Sequence, residues 1–147
     1  PAIKRYRNAQ AGFITDLENR IRAWQTLGYA IAIGLDANED VRNGEIAAMF
    51  ARVNMRNAIL SHHPLRSSPA TYHCNEQREP IDAIFCTHNL KVVRAGYGSF
   101  GDDFQATHRF LWVDFTRKSV YGELPTKLYM PMPDGSRPRT PASGEGT

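Results

Sequence analysis

"AIAIGLDANED" spans residues 30 to 40, and its reading decides the fold. Tyr29 to Leu35 is short, apolar at both alternating positions and followed by turn residues, which predicts a strand buried on both faces. Loops at the ends of such strands are where layered α/β proteins collect their functional groups. This strand ends on Asp36, one spacer and Asn38. Two readings stay open for the pair. Asp and Asn start turns, because their side chains bond the backbone two residues on. An acid and an amide at a strand mouth can also handle a substrate.

On the N-terminal side, residues from about 8 to 27 read as a helix. Phe13, Leu17, Ile21, Trp24 and Leu27 recur at spacings of four, four, three and three, which is one helical face. Gly28 follows as a helix stop. On the C-terminal side, Asn43 is a candidate N-cap with Glu45 in the first turn. Ile46, Met49, Phe50 and Val53 then mark a second helix. Residues 57–80, "NAILSHHPLRSSPATYHCNEQREP", carry loop punctuation. Strands are predicted at 81–87, 90–97 and 109–115. In the last, Phe110, Trp112 and Asp114 share one parity and Leu111, Val113 and Phe115 the other. From Pro125 the chain is rich in Pro, Gly, Ser and Thr without periodicity, which predicts a flexible tail over 125–147.

The 147 residues suffice for one domain with a core. Hydrophobic residues at 41% and charged residues at 22% are ordinary for a globular protein. No apolar run approaches the roughly 20 residues of a membrane helix. The start, at Pro1 rather than Met, shows no apolar signal segment and suggests a fragment or a processed product. Cys74 and Cys86 form no disulfide framework, so an intracellular setting, nuclear or cytoplasmic, is expected. A formal charge of +3 and a pI near 9.1 are compatible with a polyanionic partner. Lys4, Arg5 and Arg7 cluster at the start, where a solvated end explains them equally well.

Three strands carry polar groups at comparable places. Besides Asp36 and Asn38, Asp82 interrupts the apolar "IDAIF", and Thr107-His108-Arg109 leads into the last strand. An Asp in a buried strand needs a partner. His108 is chemically suitable, since a carboxylate fixes an imidazole's tautomer and stabilises its charged form. Each residue alone also has a structural reading: a capped turn, a satisfied acid, an exposed histidine. Together they form a set suited to splitting a phosphate ester. The acid takes a proton from water, the amide positions phosphate, and the imidazolium stabilises charge on phosphate oxygens.

The order of these motifs resembles the endonuclease/exonuclease/phosphatase superfamily, of which deoxyribonuclease I and retroelement endonuclease domains are members. "IAIGLDANED" looks like the family's strand ending in G-D-x-N. "PATYHCNEQREPIDAIFCT" looks like its Thr-Tyr/Phe step followed by the strand with an internal Asp. "QATHRFLWVDF" looks like its final S-D-H motif and the next strand. The style is closest to retroelement endonucleases.

The resemblance implies half of a four-layered α/β sandwich, with one mixed, mostly antiparallel sheet flanked by helices over residues 1–124. It implies that Asp36 orients or deprotonates water, Asn38 bonds the scissile phosphate, Asp82 pairs with His108, and His108 contacts the phosphate. It further implies a magnesium cofactor and DNA as partner. Two family carboxylates are not found. The N-terminal half with its metal-binding Glu would lie upstream, since Glu18 and Glu39 have the wrong context. Thr107 stands where the family has the Asp that supports the metal; Asp102 and Asp103 lie just upstream of it.

The expected function is therefore metal-dependent phosphodiester hydrolysis, by a DNA endonuclease that is weak or inactive as this chain stands. A phosphomonoesterase acting on lipid or sugar phosphates, and a catalytically dead nucleic-acid-binding or interaction module, are the alternatives. A single sheet with its helices would leave its inner face exposed. His62, His63, His73 and Cys74 match no familiar zinc spacing and read as loop. Trp24 and Trp112 read as core. Arg78 and Arg109 read as solvated surface rather than phosphate contacts.

Overall fold

The computed structural model describes residues 9–63, 68–73, 79–100 and 107–123. The helix predicted before the opening strand is α1, Ala9–Thr26. Gly28 adopts a left-handed φ of 79°, which lets the Tyr29 N–H close back on the Trp24 carbonyl at 3.1 Å. The buried stripe of α1 differs in detail from the expected one. Gly12, Ile14 and Ile21 are buried, with Leu17 and Trp24 packed against the core, whereas Phe13 and Leu27 are exposed. Ile14, Leu17, Ile21 and Trp24 keep helical spacing without Phe13 or Leu27, so the periodicity was right and its two ends were not.

The opening stretch forms β1, Ala32–Asp36. It is not buried on both faces. Ile33 and Leu35 turn toward the helices, while Ala32, Gly34 and Asp36 are exposed. The reason is position: β1 is an outer strand of a sheet ordered β1-β3-β2, with β2 at Met55–Asn57 and β3 at Asp82–Thr87. Short Ala and Gly side chains made the run look uniformly apolar although only one parity is large.

Between β1 and β2 lies α2, Glu45–Arg52, whose Ile46, Met49 and Phe50 are buried together with Val53. Its N-cap is Gly44, not Asn43. A Cβ at Gly44 would collide with the Glu39 carboxylate, which occupies the helix end and accepts from the Ile46 N–H. A long-range side chain has displaced the expected local cap. The Phe50 and Phe85 rings stack with centroids 3.9 Å apart, joining α2 to β3.

β4, Val92–Tyr97, and β5, Leu111–Phe115, pair as a separate two-stranded sheet, followed by a short α3, Arg117–Tyr121. The expected single mixed sheet is thus two antiparallel ones among the described residues. They meet because β3 is apolar on both parities. Ala83 and Phe85 join the core under the helices, and Ile84 and Cys86 join a second cluster with Ala58, Leu90, Val92, Val113 and Phe115. The architecture is α/β, with helices on one face of the larger sheet. β4 and β5 lie on the other face over β3 and leave β1 open. The predicted tail from Pro125 lies outside the described residues.

Candidate functional site

Strand pairing brings the first two predicted residues together. Asp36 ends β1, Asp82 begins β3, and they are register partners. Like charges directly opposite each other are unfavourable unless something stands between them. His108 does. Its Nδ1 lies 3.0 Å and 3.2 Å from the two Asp82 carboxylate oxygens, and its Nε2 lies 4.0 Å from Asp36 Oδ2. A carboxylate only accepts, so the hydrogen on Nδ1 is donated to Asp82, and Nε2 is left facing Asp36. Side-chain exposure separates the roles. Asp82 is 14% exposed, whereas His108 is 36% and Asp36 39% exposed, so the pair is anchored at Asp82 and open at Asp36. One ligand atom from each of the three residues falls within a 4.8 Å set.

Asp36 and Asn38 form the turn that one reading of the opening stretch expects. Asp36 Oδ1 accepts from the Asn38 N–H at 2.9 Å, a turn closed by the acid's own side chain. Asn38 takes a φ of 51°, a left-handed conformation that Asn tolerates better than most residues. The turn uses one carboxylate oxygen and leaves Oδ2 toward His108. The loop is tied down by Ala37 N–H to the Ile81 carbonyl at 2.7 Å and Val41 N–H to the Pro80 carbonyl at 3.0 Å.

A positioning residue outside the expected set is Thr71, of the Thr-Tyr step. It is fully buried, and its Oγ1 accepts from the backbone N–H groups of both Ile81 and Asp82 at 2.9 Å. Its carbonyl accepts from Arg109 N–H at 2.7 Å, and His73 N–H donates to the Thr107 carbonyl at 2.7 Å. These bonds flank an isolated bridge between Tyr72 and His108, whose rings lie 4.7 Å apart. The segment 71–73 therefore clasps the start of β3 to the approach of β5, holding Asp82 and His108 in one place. A Thr within a Pro-flanked loop was the available signal; its burial was not readable.

The remaining candidates have structural work. Arg109 donates Nε–H to the Ala70 carbonyl at 2.7 Å and Nη1–H to the Gly98 carbonyl at 3.0 Å, with its guanidinium 4.1 Å over Phe100. Glu18 bridges Arg22 and Arg52, at 2.8 Å and 2.7 Å, fastening α1 to α2. His63 Nε2 meets the Ala95 carbonyl at 3.0 Å and His73 packs edge-on against Phe100, so neither joins a ligand group among the described residues. Trp24 packs against the core as expected, and the Trp112 ring lies close against Gly96. Thr107 is exposed. Cys74, Arg78, Asp102 and Asp103 lie outside the described residues.

Near the rim, Arg42 pairs with Asp40 at 2.6 Å; the hydrogen bonds from Arg42 hold the Asp40 carboxyl below its ordinary range and raise Arg42 in turn. Burial pushes the Tyr97 phenol up. No helix among the described residues is long and apolar enough to cross a membrane. No family model, curated protein or solved structure matches this chain.

Proposed function

We propose that the rim cluster handles the phosphate of a phosphodiester, with DNA as the substrate class and magnesium as cofactor, in the manner of the endonuclease/exonuclease/phosphatase superfamily. The observation that supports this reading best is His108 held by Asp82 through Nδ1 with Nε2 facing the exposed Asp36. A protonated ring donates from Nε2 to a phosphate oxygen while Asp82 fixes its orientation. Asp36 Oδ2, the oxygen its turn leaves over, takes the proton of a water whose oxygen bonds phosphorus, while the phosphorus bond to the leaving sugar oxygen breaks and that oxygen takes a proton from solvent. Asn38 offers its amide to the phosphate.

A divalent cation suits this donor set in a minimal way. Asp82 is committed to His108 and Asp36 Oδ2 to the attacking water, so Asp36 Oδ1 is the carboxylate oxygen that would hold it, with waters and substrate phosphate completing the shell. When bound it would neutralise charge on the phosphate. Among the described residues no third carboxylate joins the cluster, and Thr107 brings a neutral hydroxyl. Turnover is accordingly slow, and the same observation favours, as a second reading, a module that binds nucleic acid without cleaving it.

Nicking of supercoiled plasmid by the full chain in magnesium tests the proposal. Slow nicking, abolished by a chelator and by Asp36→Ala or His108→Ala, is expected. Salt-sensitive DNA binding without nicking decides for the binding module. Nicking indifferent to both substitutions overturns the assignment of the site.

A further inference from the structure

Phe13 is the anomaly of α1. It is 53% exposed, yet it does not simply face water. With Gln10, three residues earlier on the same helical face, it lines a cavity of about 360 Å³ together with Leu35, Asp36, Asn38 and Ile46. The volume lies at the small end of the roughly 300–1,000 Å³ typical of ligand sites. The lining thus offers an aromatic ring, two aliphatic side chains, and the acid and amide assigned above to phosphate. Asp36 and Asn38 border this cavity and belong to the rim as well, so the two adjoin at the end of β1.

We infer that the cavity is a subsite for a nucleobase, which lies over Phe13 while the phosphate of the same nucleotide is held at the rim. This rests on the phosphate reading of the rim and extends it to the substrate. The chemistry favours a flat, largely apolar ring with polar edges. Stacking on an aromatic side chain tolerates any base, because every base has a π face. A bare sugar phosphate fills none of the apolar lining. Phe13 is then a substrate-contacting residue that selects nucleotides over other phosphate esters, and Ile46, buried at the start of α2, reports on occupancy.

The test compares 2′-deoxyadenosine 5′-monophosphate with 2-deoxyribose 5-phosphate, which has the same sugar and phosphate but no base. Each is titrated into the full chain in magnesium, following the Ile46 methyl by NMR. The nucleotide should bind about tenfold more tightly than the sugar phosphate and shift the Ile46 methyl. Phe13→Ala should bring the ratio of affinities close to one without weakening the sugar phosphate, and Phe13→Trp should preserve it. Because Phe13 is exposed, the alanine variant should keep the wild-type fold, checked by its methyl spectrum. Equal affinities in the unaltered chain, no binding of the nucleotide, or a ratio that survives Phe13→Ala overturns the subsite. His108→Ala separates the two proposals. If it weakens both ligands alike, the rim holds phosphate. If it weakens neither while the ratio persists, the subsite stands and the phosphate assignment falls.

Discussion

The two ends of β3 carry polar residues of similar size put to different uses. At one end Thr87 is nearly buried, and its hydroxyl both accepts from Ile31 N–H at 2.9 Å and donates to the Ile31 carbonyl at 3.3 Å. Its polarity is consumed by the backbone. At the other end Asp82 binds a side chain, His108, which faces a further exposed side chain, Asp36. A polar cleft of about 450 Å³ lies at the Thr87 end too, lined by Arg22, Arg52 and His88. There both arginines are spent on Glu18, and the C-termini of α1 and α2 leave carbonyls nearby. The contrast separates polar groups that complete a fold from those left facing solvent.

Substitutions at the two ends should therefore diverge. His108→Ala or Asp36→Ala should lower plasmid nicking about a hundredfold, and each should cost about 1 kcal/mol in urea unfolding, the first by leaving Asp82 unpaired and the second by opening its turn. A shifted midpoint with retained nicking would show the rim to be structural after all. Thr71→Val keeps the shape but strands the Ile81 and Asp82 N–H groups in a buried site. A loss of about 2–3 kcal/mol in urea unfolding is expected, together with reduced nicking because Asp82 loses its anchor. Thr87→Val should cost about 1–2 kcal/mol and leave nicking untouched. Equal effects of the two valines on nicking would erase the distinction between the ends.

The smallest expected effect concerns Asp40. Arg42 depresses its carboxyl in the folded state, so the interaction stabilises above the unfolded carboxyl's ordinary range and is lost as the pH falls through the lower folded value. Asp40→Asn should cost roughly 0.5 kcal/mol at neutral pH, as exposed pairs do, and nothing in strong acid. A penalty that persists at low pH would assign the effect to the turn rather than to charge.

Much of this layout is legible in the sequence. Helical periodicity located α1 and α2, and short apolar runs between turn residues located four of the five described strands. β2 escaped because three residues, Met55–Asn57, carry too little pattern, and α3 because five residues hold barely one turn. The burial of β1 was misjudged because Ala32 and Gly34 count as apolar yet need no cover. Asn43 lost the cap to Glu39, a contact over seven residues that no local rule anticipates. Asp36, Asp82 and His108 were readable as chemistry, and their convergence depends on a register that sequence spacing does not encode. Thr71 and Phe13 stayed hidden for opposite reasons, one a polar residue fully buried and the other an aromatic on the expected core stripe that is exposed.

The central claim is that His108 presents Nε2 to a phosphate. The chain has five histidines, so His62, His63, His73 and His88 serve as controls in the same sample. The imidazole ¹⁵N resonances, recorded while dimethyl phosphate is added in magnesium, give the most direct test. The account predicts a saturable shift of His108 Nε2, a hydrogen retained on Nδ1 toward Asp82, and no comparable response from the other four. An unmoved His108, or five histidines responding alike, would contradict it.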